Sequence, residues 1–430
     1  MSTLSEIAKE RGIRYFLIAY TDLFGVLRAK LVPARAIDGM AAEGAGFAGF
    51  ATWFDMTAAD PDVLAVPDPD SLIQLPWKPE VAWLAANPTM EGAEVAQAPR
   101  NVLRQVVARA AAQGWEMRTG VEPEFFLIQP DGMAVADGAD TQVKPCYDQL
   151  TLMRRYDVIA EIADAMEGLG WAPYQNDHED ANGQYEMNWA YAPALVTADR
   201  HAFFKYMVRS IAEKHGMRAT FMPKPFAALT GSGCHAHISV WRGGENVFLG
   251  GDALGMSEMA HRFLGGVMAH AEALCALTNP VVNSYKRINA PVTASGATWS
   301  PSTISWGGNN RTHMVRVPGP GRIEYRLADG AANPYLLQAG LLAAGMDGIA
   351  TGADPGARLD RDMYGAGAAE GVRRLPLNLL DAVRAFEADG VLQGALGTAF
   401  SGAYAKLKRQ EWDLYMRHLT QWERDTTLDC

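Results

Sequence analysis

The chain has 430 residues, of which 49% are hydrophobic and 20% charged, and its formal net charge is −11. This balance suits a globular protein of more than one compact unit. The acidic excess argues against non-specific binding to nucleic acid or to an anionic membrane, which needs a basic face.

No apolar run is long and clean enough to span a bilayer; the best, "YLLQAGLLAAGMDGIATGA", is broken by Gln338 and Asp347. The opening "MSTLSEIAKERGIRYF" mixes charges early and lacks the apolar centre of a signal peptide. Cys146, Cys234, Cys275 and Cys430 are far apart and form neither a CxxC pair nor a disulfide framework, so a reducing cytoplasm is expected.

In chain order, "RYFLIAY" (14–20) and "VLRAKLV" (26–32) read as two strands joined by "TDLFG", with Asp22 and Gly25 in the turn. The following "AADPDVLAVPDPD" reads as tight turns because of its prolines and aspartates. "RNVLRQVVARAAAQG" reads as an amphipathic helix closed by Gly114, and a domain boundary is expected just before it, dividing residues 1–95 from 96–430. Beyond it strands alternate with helices such as "RHAFFKYMVRSIAEKHG", stopped by Gly216. "NLLDAVRAFEADG" places Leu379, Leu380, Val383 and Phe386 at helical spacing, and "GAGAAEG" after Tyr364 reads as a mobile loop. There is no internal repeat.

Four stretches carry chemistry. "GVEPEFFLI" places Glu122 and Glu124 two apart in a strand-like segment, so both carboxylates share a face. Such a pair repels unless a cation lies between; the competing reading, an exposed edge with two solvated glutamates, sits poorly with the apolar flank "FFLI". "HEDANGQYE" concentrates Glu179, Asp180 and Glu186 around a turn-like centre, where a bend can bring the two glutamates to one point; a solvated loop is the plain alternative. "GSGCHAHISVW" puts His235 and His237 on one side of a strand, and "GRIEYR" does the same for Arg322, Glu324 and Arg326. Together these offer five glutamates and a histidine, an oxygen-rich set that suits Mg²⁺ or Mn²⁺ better than Zn²⁺. Arg287, Arg311, Arg316, Arg322 and Arg326 form a local basic island whose guanidinium forks suit phosphate or carboxylate. Divalent metal beside arginines points to phosphoryl transfer, and neither a P-loop nor a kinase signature set is present.

The ordered motifs "EPEFFL", "HEDANGQYE", "FMPKP", "GSGCHAHIS", "NSYKR", "NRTHMVRVP", "RIEYR" and "AANPYL" resemble those of the glutamine synthetase superfamily, nearest the branch of γ-glutamylmethylamide synthetases and type III-like glutamine synthetases. The resemblance implies an α+β fold, with a small N-terminal β-grasp domain and a larger catalytic domain built on a curved antiparallel sheet. It implies a homo-oligomer, a dodecamer of two hexameric rings with active sites between subunits. It also implies ATP as co-substrate with two to three Mg²⁺ or Mn²⁺ ions per site. One ion falls to Glu124, Glu179 and Glu186, the other to Glu122, His235 and Glu324. Arg287, Arg311 and Arg326 match residues that bind L-glutamate and the transferring phosphoryl group, and Gly231 a backbone contact to glutamate. Arg316 and Arg322 match phosphate-binding arginines, while Tyr191, His237 and Ser239 fall where base and ribose are held.

The chain departs from the family pattern at the amine. Where ordinary members read Phe-Asp-Gly-Ser-Ser, with an Asp that serves ammonium, this chain reads "FAGFA", placing Ala48 there between Phe47 and Phe50. The flap after "YKR" normally ends in a Glu, but "KRINAPVTASG" holds no acid and Thr293 or a gap stands opposite. A less acidic, more apolar pocket favours an amine bearing carbon, so the expected reaction is ATP-dependent ligation of L-glutamate to methylamine through a γ-glutamyl phosphate. Ammonia is the alternative acceptor; a larger amine, or a non-catalytic member, are further ones. Asp177 and Asp55 are the candidate bases, with Asp177 ahead. Tyr364 lies near where some relatives carry a modified tyrosine, but the residues after it do not match, so modification is not expected.

Overall fold

The computed structural model describes residues 3–295, 297–365 and 370–430, and the stretch read as a mobile loop, 365–371, lies largely outside them. The first hairpin is as the turn residues require. Strands β1 (Tyr15–Thr21) and β2 (Leu27–Pro33) pair antiparallel from Tyr15↔Pro33 to Thr21↔Leu27. The Asp22 carboxylate accepts the backbone N–H of Phe24 at 3.0 Å and of Val26 at 3.1 Å, and Gly25 takes φ +80°, a conformation that costs other residues.

Strands β3 (Ala45–Phe47), β4 (Val63–Pro67) and β5 (Val81–Met90) complete a sheet in the order β2-β1-β5-β4-β3, with two short strands also pairing with β5. β5 is parallel to β1 and antiparallel to β4, and its first six residues are all buried, as a central strand's are. The passage expected to be turns is in part a strand: Val63–Pro67 alternates buried and half-buried residues between β3 and β5. The prolines bracket this short apolar run, and sheet pairing overrides the local turn preference.

Helix α1 (Pro99–Ala112) ends before Gly114 at φ +82°. Its buried Arg100 binds Asp68 of the first sheet region at 2.8 Å and Asp199 at 2.9 Å, and the Tyr335 hydroxyl donates to Asp199 at 2.8 Å. This network fastens four distant segments together.

Among the described residues the second sheet has ten strands. Its main members are β6 (Glu116–Ile128), β7 (Pro173–His178), β8 (Gln184–Trp189), β9 (Cys234–Arg242), β10 (Val315–Gly319) and β11 (Arg322–Tyr325), in the order β10-β11-β9-β6-β8-β7. These pairs are all antiparallel, and register shifts at Asn188/Trp189 and Arg316/Gly319 mark irregularities of the kind that bend a sheet. Helix α2 (Ala194–Lys214) begins six residues ahead of the periodic stretch, ends before Gly216, and buries Phe204 against Trp189 and Phe221 and Phe203 against Trp83 and Trp171.

Helices α3 (Glu258–Ala269) and α4 (Pro334–Thr351) cross at close range because glycines meet there: a Cβ on Gly266 would lie 2.0 Å from the Ala344 carbonyl. The apolar stretch "YLLQAGLLAAGMDGIATGA" is therefore a core helix, and among the described residues no helix is long and apolar enough to cross a membrane. Helix α5 (Leu379–Ala388) buries Leu379, Val383 and Phe386, with Leu380 half-buried, and packs on α6 (Thr398–Met416). The result is an α+β fold with a curved antiparallel sheet, consistent with that of glutamine synthetases.

Candidate active site

β6 lies between β9 and β8, and its even-numbered residues set the site. Glu124 stands opposite Glu186 on β8, and Glu186 opposite Asp177 on β7. On the other flank Glu122 stands opposite His235 and Gly120 opposite His237. His237 is in turn opposite Glu324 on β11, and Glu324 opposite Arg316 on β10. Directly paired residues point to the same face, so antiparallel register alone gathers the carboxylates, histidines and an arginine on one surface.

The hairpin "HEDANGQYE" adds Glu179. Its turn closes with Glu179 N–H donating to the Gln184 carbonyl at 2.9 Å and Gln184 N–H to that of Ala181 at 3.0 Å, while Gly183 takes φ +74°. Asp140 braces it from below: its carboxylate accepts from the Asn182 side chain at 2.8 Å and the Gly183 N–H at 2.6 Å, and faces His178 Nε2 at 2.8 Å.

Among the described residues, three sets of candidate ligand atoms each lie within 4.8 Å of one another: Glu124, Glu179 and Glu186; Glu122, Glu186 and His235; and Glu122, His237 and Glu324. The first is the expected trio. For the second expected trio, His235 Nδ1 is 3.4 Å from Glu122 and 3.6 Å from Glu324, and His237 Nε2 also reaches Glu122, at 2.9 Å.

The electrostatics fit a cation. Burial, then Glu124 and Asp177, push the Glu179 carboxyl well above the ordinary range; burial, then Glu122, Glu179 and Glu124, do the same to Glu186. Burial and the charges of Glu124 and Glu122 push Asp177 up to about 6. Against its burial, Glu122 is held low by hydrogen bonds to His235 and His237. Among the described residues His235 Nε2 is buried with no hydrogen-bond partner. A hard divalent ion suits this oxygen-rich donor set.

Behind the acids, Glu124 accepts from Gly233 N–H at 2.7 Å and from Gln184 Nε2 at 3.2 Å, and Gln184 also donates to Gly231 O and Ser232 Oγ. Two glycines leave the space these groups occupy. A Cβ on Gly231 would lie 2.4 Å from the Pro223 carbonyl; one on Gly233 would meet Arg287 Nη2 at 2.9 Å and Glu124 Oε1 and His235 Nε2 at 3.0 Å.

The arginines divide. Buried Arg287 donates to the Leu327 carbonyl at 2.8 Å, and Arg326 and Arg316 bracket Glu324 at 2.6 and 2.8 Å. Arg311 is tied in through its carbonyl, which accepts from Arg326 Nε at 3.1 Å, while its residue is exposed.

A cavity of about 330 Å³ opens at the other end of the same sheet face. Of the residues expected around a nucleotide, Tyr191, His237, Ser239 and Arg322 line it, whereas Arg316 stands apart beside Glu324. Trp241 and Arg118 line it too and escaped the sequence reading. The Arg118 guanidinium lies 4.2 Å over the Trp241 ring, which faces Tyr191 nearly parallel at 6.5 Å. The alternation that put His235 and His237 on one face, continued through Ser239, reaches Trp241 and was the available signal.

At the amine-related positions, Ala48 precedes the short turn Gly49–Ala51, beside Phe47 and the exposed Phe50. Thr293 bonds to Ser295 Oγ and the Ala297 carbonyl at 2.9 Å. Asp55 is paired with Lys406 at 2.8 Å, and the half-buried Tyr364 donates to the Arg311 carbonyl at 3.4 Å.

The glutamine synthetase catalytic-domain model matches residues 96–427. A glutamine synthetase of Rhizobium leguminosarum bv. phaseoli is 64% identical over 430 residues, 99% of each chain. A glutamate–methylamine ligase of Methyloversatilis universalis is 39% identical over 439 residues, covering 100% of this chain and 99% of its own. A solved structure described as a GmaS/ADP complex, conformation 1, superposes with a TM-score of 0.97 at 66% identity over 100% of both chains. Motifs, sheet register and these likenesses agree, and the chain belongs to the glutamine synthetase family.

Proposed function

We propose that the protein is an ATP-dependent glutamate–amine ligase that joins L-glutamate to methylamine, giving γ-glutamylmethylamide, ADP and phosphate. The observation that carries the ligase reading is the register array of Glu124, Glu186, Glu122, His235, His237 and Glu324, which joins a cation-ready acid cluster to a cavity of nucleotide-binding character. Full-length likeness to a glutamate–methylamine ligase and to GmaS, with Ala48, and Thr293 or a gap, where family acids are expected, supports methylamine.

Glu124, Glu179 and Glu186 would hold one Mg²⁺ or Mn²⁺ and Glu122, His235 and Glu324 another, in a site of two to three ions that would supply charge neutralisation to a phosphoryl group in transfer. Tyr191, Ser239, His237 and Trp241 receive the nucleoside, and Arg322 and Arg316 the phosphates. Gly231, Arg287, Arg311 and Arg326 hold the glutamate carboxylates and the phosphoryl group in transfer. Methylamine arrives protonated at neutral pH, like a lysine side chain, and must lose a proton before it attacks. Asp177 takes it: it stands opposite Glu186, and its Oδ1 is buried without a partner among the described residues.

The same reading divides the chain near residue 95, places it in the cytoplasm with its four cysteines free, and assembles it as a dodecamer of two hexameric rings. The exposed Leu31, Phe50 and Trp53, and Leu414, Leu419 and Trp422 at the other end of the chain, suit burial between copies.

Ammonia as acceptor is favoured by the printed name of the Rhizobium relatives, which are 64% and 63% identical. Phosphate release from ATP and L-glutamate with Mg²⁺, compared for methylamine and ammonium by kcat/KM with the amide identified by mass, decides. A preference for methylamine supports the proposal, and one for ammonium makes the protein a glutamine synthetase. Light scattering on the purified protein tests the dodecamer.

A further inference from the structure

Asp180 is buried, yet the reaction just described gives it no task. It lies between Glu179, a member of the acid trio, and the turn of the hairpin. Its Oδ2 accepts two hydroxyl hydrogen bonds, from Thr230 Oγ1 at 2.5 Å and from Ser295 Oγ at 2.6 Å. Its backbone N–H donates to Glu179 Oε2 at 2.9 Å. Thr230 opens the segment whose Gly231 and Gly233 back the glutamate side, and Ser295 lies on the loop that follows Arg287. Thr230 Oγ1 also reaches Thr293 Oγ1 of that loop at 3.4 Å. One carboxylate oxygen thus holds three segments that the sequence keeps far apart.

We infer that Asp180 is a positioning residue that latches the 290–295 loop onto the acid hairpin and so keeps water from the acyl phosphate. The need follows from the proposed reaction, on which this inference rests. Attack by the amine on the γ-carbonyl carbon breaks the carbon–oxygen bond to phosphate, which leaves, while the amine proton passes to a base. Attack by water breaks the same bond but regenerates glutamate, so ATP is spent without product. A loop held by charge-assisted hydrogen bonds is well suited to favour the first outcome.

The experiment measures amide formed per phosphate released, and hydrogen–deuterium exchange across 285–295, in the full-length protein with ATP, glutamate and methylamine or ammonium. Ser295→Ala, on a half-buried loop, is the variant least exposed to a folding defect. In Ser295→Ala and Asp180→Ala the uncoupled fraction of phosphate release is expected to rise about tenfold, the factor one hydrogen bond to a charged group is worth. Exchange in the loop should quicken in both. Asp180→Asn, whose Oδ1 still accepts but carries no charge, should fall between the wild type and Asp180→Ala, and the double Asp180→Ala/Ser295→Ala should be no worse than Asp180→Ala alone. Coupling and exchange both unchanged in Ser295→Ala would overturn the latch. If the wild-type protein forms no amide with either amine, the ligase reading fails, and the exchange comparison alone judges the latch.

Discussion

Glu124 and Glu186 face each other in register across β6 and β8, both buried, with Glu179 of the hairpin close enough to complete a trio. Three carboxylates gathered away from water oppose one another in the ion-free protein, and a divalent cation reverses the sign of that interaction.

Glu186→Gln should therefore separate stability from function. Removing one charge relieves the repulsion, so the melting temperature in EDTA is expected to rise, while the increase that Mg²⁺ gives the wild type shrinks. Activity should fall by at least about 100-fold, the upper range for disturbed metal sites. Melting curves with and without Mg²⁺ alongside steady-state rates check both halves, and an unchanged Mg²⁺ response would remove Glu186 from the ligand set.

Gly233→Ala tests the space between Arg287, Glu124 and His235. Its Cβ would meet all three at 3.0 Å or less, so at least one must move. An overpacking cost of about 1–3 kcal/mol falling on the site corresponds to a loss of roughly 5- to 150-fold in kcat/KM. Rates that match the wild type would show that the three side chains yield freely.

Trp241→Ala should raise the KM for ATP by about tenfold or more with a smaller effect on kcat, because an aromatic platform for a base is worth about 1–3 kcal/mol. ATP titrations at saturating glutamate and amine measure the split. A change confined to kcat would place Trp241 outside nucleotide binding.

Ala48→Asp returns an acid to the position that serves ammonium in ordinary members. The ratio of kcat/KM for methylamine to that for ammonium is expected to drop about tenfold or more, the scale on which small apolar differences discriminate. Competition assays with both amines, read by product mass, give the ratio directly; an unmoved ratio would put acceptor choice elsewhere.

His270 gives stability a pH dependence away from the site. Its Nδ1 is 2.6 Å from Asp389 and its Nε2 3.1 Å from Asp347, and these hydrogen bonds, Asp389 first, raise its pKa above 6.5. The folded state therefore binds this proton more tightly than the unfolded state. The contribution is fully present below pH 6.5 and is lost as pH rises through the elevated folded value. His270→Gln should melt at a lower temperature than the wild type at pH 6, with the difference narrowing toward pH 9 as measured by calorimetry.

Much was legible in the chain because it depends on neighbours in sequence. Period two put Glu122 with Glu124 and His235 with His237, glycines at 25, 114 and 216 marked turns and helix ends, and the run of motifs identified the family. Other features required distant segments to meet. That Glu186 stands opposite Glu124, and Glu324 opposite His237, is a matter of strand register, which spacing within one segment cannot fix. Val63–Pro67 reads as turns alone and becomes a strand only between two partners. Trp241 enters the cavity, Gly233 makes room for three side chains, and Asp180 receives two hydroxyls from other segments, only once the sheet has closed. The sequence by itself determined the residue types the chemistry needs and the local turns that present them. The tertiary structure decided which of them share a face, because long-range pairing, and not local propensity, sets the distances at which charges attract or repel.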